Sequence, residues 1–339
     1  LRAYPLPTPG FQLGAANWIT TLPAPRNSRK DLIRADYYMG RHRIAFSGQN
    51  YAYDEIQPFR GNFDRVGVDW DRPNRTGALS LTSTLNPTLI NELTFSAAND
   101  IVRIANLEGR PYQRSLSGID FPYLFPGTKD VEDKIPTISI TSFSTLDGGP
   151  YPAFSSGPMY TLTNNTTWIP SSKHTVKFGV FFERAEQNNL DQIVVSSTVP
   201  GGTNNQNGRF EFLPTGHPRT SGVAIGNAAL GLFNSYGEIG QRAYTLLRGN
   251  SFEAFLQDSW RVMPKLTLEL GLRYSYFQPW YAQWNDIANF DERFYNPANR
   301  ATVHPTAGYL TGGDPYNGIV LPGSGFPDSA RGRIPAENV

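Results

Sequence analysis

The sequence predicts an all-β, antiparallel transmembrane β-barrel, of which this chain supplies about eight or more strands of a larger whole. Three observations carry that prediction. Apolar and polar side chains alternate with period two through four hairpins. No segment approaches the roughly 18 consecutive apolar residues that a membrane helix needs, which excludes a helical membrane protein but not a barrel. Short turns and long links alternate strictly along the chain, so all short turns fall at one end of the strands and all long links at the other.

Composition agrees. Only 17% of the 339 residues are charged, below the roughly 25% usual in soluble domains, while aromatics reach 13%, and 32 Gly with 27 Pro imply many turns. Lys+Arg 30 against Asp+Glu 29 leaves +1, so no positive excess exists to neutralise a phosphate backbone, and nucleic acid is not an expected partner. The absence of Cys excludes a disulfide framework, a thiolate nucleophile and a thiolate-bound metal. The chain starts at Leu1 and stops at Val339 after a Gly/Pro-rich stretch, and it reads as a fragment of one barrel domain.

The hairpins fall near 30–53, 77–98, 157–184 and 250–277. In the first, Ile33, Ala35, Tyr37 and Met39 share a face against Arg34 and Asp36, the chain turns at Gly40-Arg41, and Ile44 and Phe46 return in phase. The second places Leu79, Leu81 and Leu85 together, turns at Asn86-Pro87 and returns through Leu89, Leu93 and Phe95. The third turns at Pro170-Ser171-Ser172 and returns with Val176, Phe178 and Val180 opposing Lys177, Gly179 and Glu183. The fourth runs through Phe252, Ala254, Leu256, Trp260 and Val262, a parity interrupted only by Asp258, and turns at Met263-Pro264-Lys265. Its return strand sets Leu266, Leu268, Leu270, Leu272, Tyr274 and Tyr276 on one face and Thr267, Glu269, Gly271, Arg273 and Ser275 on the other.

In a barrel wall the first face meets lipid. Leu266, Leu268, Leu270, Leu272, Val176, Phe178 and Val180 are therefore expected to be lipid-facing, with Glu269, Arg273, Lys177 and Glu183 lining the lumen. An Arg at the lipid midplane would cost about 2 to 4 kcal/mol and very little in a wet lumen, which fixes the sense of the parity. Trp168, Trp260, Tyr274 and Tyr276 lie toward strand ends, as interfacial girdles require. The long links, 54 to 75, 107 to 157 and 189 to 249, are polar and rich in turn residues, and are expected to carry no core; only Val223 to Asn234 suggests a short helix. Trp70, Tyr123, Phe125 and Tyr151 in these links are candidate contacts for a sugar or other ligand ring, although loop packing is the commoner explanation of such aromatics.

No metal or cofactor site is expected. His42, His174, His217 and His304 are far apart and lack a second ligand type nearby. The acids Asp69 and Asp71, and Asp130, Glu132 and Asp133, could cup Ca²⁺ but read more simply as solvated loop. Gly226 to Gly231 lacks the Lys-Ser/Thr of a phosphate loop, and neither G-x-S-x-G nor a nucleophilic constellation is present, so no catalysis is expected.

The segment SFEAFLQDSWRVMPKLTLELGLRYSYFQPW (251 to 280) resembles the aromatic-x-QD-x-W-[KR]-x-x-P-x-LTL-x-x-GLRY signature of TonB-dependent outer-membrane receptors, particularly the Oar-like group. RKDLIRADYYMGRHRIAFSGQNY, PNRTGALSLTSTLNPTLINELTFS and SSKHTVKFGVFFERAEQN resemble that group's other hairpins, in its order, and with NFDERFYNP (289 to 297) the likeness covers about two thirds of the chain. The resemblance implies the middle of a barrel of about 22 strands around a plug. It also implies outer-membrane lipid as surroundings, an unknown extracellular ligand recognised by outer loops, and a TonB-type energy transducer acting through a plug and TonB box that these residues do not contain. An adhesion or assembly protein with the same barrel is the alternative, and a soluble carbohydrate-binding β-sandwich with the apolar faces packed together is a third reading.

Overall fold

A computed structural model describes residues 1–12, 16–59, 61–190, 203–242, 244–284, 287–303, 310–314 and 316–320; His304 and most of the Gly/Pro-rich tail lie outside them. Four two-residue turns, at 40–41, 87–88, 172–173 and 264–265, break the alternating segments. Gly40 adopts φ 58°, a left-handed conformation that costs glycine nothing. The third turn sits beyond Pro170, which is instead the penultimate residue of its strand, where a residue without an N–H is tolerated.

In chain order the elements are β1 (Arg26–Met39), β2 (His42–Gln57), β3 (Val68–Asp71), β4 (Asn74–Asn86), β5 (Leu89–Asn106), β6 (Thr137–Ile140), β7 (Ala153–Ser171), β8 (His174–Leu190), β9 (Arg209–Phe212), α1 (Ala224–Leu230), β10 (Ser235–Gly237), β11 (Tyr244–Met263), β12 (Leu266–Phe277) and β13 (Tyr281–Ala282). Two short ladders follow, Asn289–Phe290 with Ile319–Val320 and Thr302–Val303 with Leu310–Gly312. The helix suggested for 223 to 234 is α1, closed by Gly231 at φ 71°.

The eight long strands β1, β2, β4, β5, β7, β8, β11 and β12 form one antiparallel meander, each paired with the next. β3 continues β4 past the break at Arg72 and Pro73, bridging β2 and β5 at their far ends. The link expected over 54 to 75 thus contracts to 58–67, because both flanking strands extend beyond the membrane-length hairpin.

Register makes the two faces explicit. One row of opposed residues runs through all eight strands: Ala35, Phe46, Leu79, Phe95, Leu162, Phe182, Phe252 and Tyr276. The row on the other face one residue away reads Arg34, Ser47, Ala78, Ser96, Thr161, Glu183, Ser251 and Phe277. The apolar row stands four residues from Met39 at the end of β1 but ten from Leu266 at the start of β12. That stagger is what strand tilt in a barrel produces. In β12 the ten-residue rise from Leu266 to Tyr276 spans about 33 Å along the strand, and at about 40° tilt it stands about 25 Å tall, the height of a barrel's lipid band.

The face that carries the apolar row is exposed along its length, Leu272 to 84%, and no second sheet packs on it among the described residues, which overturns the sandwich reading. Among the described residues β1 and β12 each end the sheet with one edge unpaired. In hydrocarbon such an edge must be closed by further strands.

The main buried cluster is elsewhere. Ala3, Val66, Ile135, Ile138, Ile140, Leu146, Phe212 and Ala224 pack into a core built from the amino-terminal segment and the long links, with Tyr4, Phe63, Tyr112 and Phe210 around it. A small sheet of β6 parallel to β9, with β10 antiparallel on the other side, and α1 support it. The expectation that the long links hold no core is therefore wrong. Their apolar residues are single and far apart in sequence, so they show no periodicity. All of this packing lies at the strand ends opposite the four short turns.

Candidate functional site

The polar face offers a lining. Asp36 accepts from Arg34 at 2.9 Å and from Arg43 at 2.6 Å. Ser80 bonds Thr94 at 2.9 Å across the strands, and Ser96 bonds Thr161. Lys177 lies in register between Thr167 and Gln257, and Glu183 between Thr161 and Ser251. Glu269 accepts from Ser259 Oγ at 2.6 Å and Gln257 Nε2 at 3.1 Å, while Arg273 forms an ion pair with Glu253. Glu269 and Arg273, four apart on one strand face, thus each pair across to β11 and not with one another, since antiparallel neighbours stand closer than residues spaced along a strand.

The aromatic girdle residues divide between the two rims. Trp168 and Trp260 lie near the short turns, and Tyr274 and Tyr276 lie at the opposite end of β12. Val176, Phe178 and Val180 share the face of Leu268, Leu270 and Leu272 through the register of β8, β11 and β12.

The four loop aromatics meet different fates. Tyr151 is 3% exposed and packs with Val68, Ile104 and Ala153. Trp70 belongs to β3 and rests half-buried on the same cluster. Both are packing residues, as their position at the joint between strands and cap requires. Tyr123 donates to Glu132 O at 2.7 Å and accepts from Asn207 Nδ2 at 2.8 Å, its ring beneath the Arg114 guanidinium at 4.4 Å. Phe125 is half exposed beside Lys129.

Charges buried in the cap fasten one link to another. Lys129 and Glu238 pair at 2.6 Å with both side chains out of solvent. Glu238 also accepts the backbone N–H groups of Leu124 and Phe125 at 3.0 Å and the Tyr236 hydroxyl at 2.5 Å. Burial alone would raise its pKa, but these donors hold the carboxyl below its ordinary value, while burial and the same carboxylate push the Tyr236 phenol up. Lys134 donates to Gly149 O at 3.0 Å and Tyr151 O at 2.7 Å, and Arg242 donates to the carbonyls of Pro150 and Pro152, so two cations hold four consecutive carbonyls. Burial, then Arg242, brings the Lys134 ammonium down to about 7, against the upward pull of Asp147 and Asp130. Among the described residues no three His or acidic groups converge as a metal site; Asp71 pairs with Arg103 and Asp130 with Arg242.

Against this scaffold lies a cavity of about 410 Å³ that sequence reasoning missed. Tyr4, Trp18, Phe63 and Phe143 line it, with Tyr4 and Trp18 both edge-on to Phe63 at 5.5 and 5.4 Å. Asn17, Asn62 and Ser144 supply its polar side chains, and among the described residues no charged side chain borders it. Its size is that of a small-ligand pocket. The Tyr4 hydroxyl donates to Ile138 O at 3.1 Å, which locks the ring to the cap core. The only sequence signal was the concentration of aromatics and prolines before β1, which follows no period.

A family model described as outer membrane beta barrel domain matches residues 1–334. No curated protein matches. Among solved structures, the outer membrane transporter YddB from Escherichia coli aligns with a TM-score of 0.42 at 11% identity, over 75% of this chain and 28% of that one. The chain therefore spans little more than a quarter of that transporter's length.

Proposed function

The chain belongs to the outer membrane β-barrel domain family, and from that premise we propose that it forms wall and outer cap of a receptor that captures an extracellular ligand and admits it through the barrel lumen. Residence in the outer membrane comes with the family. One observation carries the rest: the described residues of the long links fold at one end of the strands into a packed cap with an aromatic cavity, while the described turns at the other end are two residues long. The chain acts by binding and passage, not catalysis. The likeness of its four hairpins to TonB-dependent receptors supports a second step, in which a TonB-type transducer moves a plug and releases the ligand inward.

Of the two ligand classes that such receptors suggest, the uncharged lining of the cavity favours a neutral oligosaccharide over an anionic siderophore-like chelate. The test uses the intact protein in outer-membrane vesicles, titrated with neutral oligosaccharides and with anionic ferric catecholate and ferric carboxylate chelates, reading tryptophan fluorescence. A saturable change with the neutral sugars that Trp18→Phe abolishes supports the reading; saturable binding of chelates alone refutes the ligand class. In cells, uptake that a protonophore stops supports energy coupling, and binding without uptake supports the adhesion alternative.

A further inference from the structure

The lipid-facing parity is broken by polar groups toward the short turns, and His42, Ser83, Asn91, His174 and Asp258 among them come from the motifs that resemble the receptor hairpins. His42 Nδ1 bonds Ser83 Oγ at 2.8 Å. Asn91 and Asn164 exchange amide hydrogen bonds at 3.0 and 3.2 Å, and Asn91 also donates to Thr166 at 2.8 Å. These groups satisfy one another. Asp258 does not reach that state. Its Oδ2 lies 2.7 Å from His174 Nδ1, but its Oδ1 is buried and has no hydrogen-bond partner.

Asp258 stands on the same face as Val176 and Trp168, its register neighbours, and one pleat from His174 and Trp260. The Trp260 indole stacks on the His174 ring at 5.6 Å and 14°. A carboxylate on the lipid face is costly unless it is paired, and His174 occupies only one of its oxygens. The Trp260 indole beside it, and Trp168 one strand beyond Val176 on the same face, offer ring faces to a cation at the level where aromatic residues meet headgroups. Lys173 and Lys265 belong to the two turns that follow, so along the strands the sequence passes from an anionic to cationic residues over one short step toward water.

We propose that His174, Asp258, Trp260 and Trp168 form a seat for a zwitterionic phospholipid with a primary-ammonium headgroup. The ammonium pairs with the Asp258 carboxylate at its open side, the side chain being 28% exposed, and the phosphate lies toward the turns that carry Lys173 and Lys265. A trimethylammonium headgroup has no N–H to donate, and a glycerol headgroup brings no cation. The site is independent of the ligand captured at the cap, so failure of either reading leaves the other standing.

The experiment is native mass spectrometry of the intact purified protein, exposed to equimolar phosphatidylethanolamine, phosphatidylcholine and phosphatidylglycerol of one chain length. The wild type is expected to retain phosphatidylethanolamine at least threefold over the other two, and Asp258→Asn to equalise them. Asp31→Asn, a carboxylate of the same parity at the opposite rim, is expected to keep the preference. Folding of each variant is checked by heat-modifiable gel mobility. Equal adducts in the wild type overturn the proposal without any variant, and so does an Asp258→Asn protein that folds and keeps the preference.

Discussion

Replacing Lys134 with Met removes the donor that holds two buried carbonyls of the cap. Lys134 is 1% exposed, and without it Gly149 O and Tyr151 O lose the buried ammonium that donates to them. Each such acceptor costs about 1–3 kcal/mol, offset in part because an ammonium no longer has to be desolvated. A net loss of about 3 kcal/mol in cap stability is expected, or roughly a hundredfold faster hydrogen exchange over 134–152, with the strands unchanged. The wild type adds a pH signature. Its ammonium titrates at about 7 when the cap is folded and near 10.5 when it is not, so between those values the unfolded cap binds the additional proton and stability rises with pH. From pH 7 to 9 the gain approaches about 2 kcal/mol, and it vanishes in Lys134→Met. Exchange rates corrected for intrinsic chemistry read both effects. Exchange over 134–152 that ignores both the substitution and pH would refute the role given to Lys134.

Two further outcomes follow from the strand faces. Leu270→Arg places a guanidinium in the lipid band and should lower refolding stability in bilayers by about 2–4 kcal/mol, whereas Gln257→Arg on the lumen face should change it by less than about 1 kcal/mol, as measured by urea titration of the intact protein. Asn91→Leu should cost about 1–3 kcal/mol by stranding Asn164 and Thr166, while the double replacement Asn91→Leu with Asn164→Leu should recover most of that loss; a double variant as impaired as the sum of the singles contradicts the pairing.

The wall was legible because lipid and lumen impose opposite demands on adjacent residues, and that contrast is written with period two. KLTLELGLRYSYF shows it without interruption, and the eight-strand row from Ala35 to Tyr276 is the same pattern carried sideways by register. The cap was not legible. Its core joins Ala3, Val66, Ile138, Phe212 and Ala224, which share no period and are buried only because links separated by tens of residues converge. Tyr151 and Trp70 were visible as aromatics, but their burial depends on the unforeseen β3, which extends the sheet beyond the expected hairpin. Asp258 was visible as a break in parity, and its meaning waited on His174, which a different hairpin supplies.

The direct measurement of the account uses the absence of Cys, which makes single-cysteine substitution clean. Spin labels placed one at a time from 266 to 273 in the intact protein, reconstituted in bilayers, report collision with oxygen dissolved in lipid and with a nickel chelate dissolved in water. Labels at 266, 268, 270 and 272 should favour oxygen, and labels at 267, 269, 271 and 273 the chelate. The opposite parity, or no alternation at all, would contradict a wall with Leu266 to Leu272 against hydrocarbon and Glu269 and Arg273 toward the lumen.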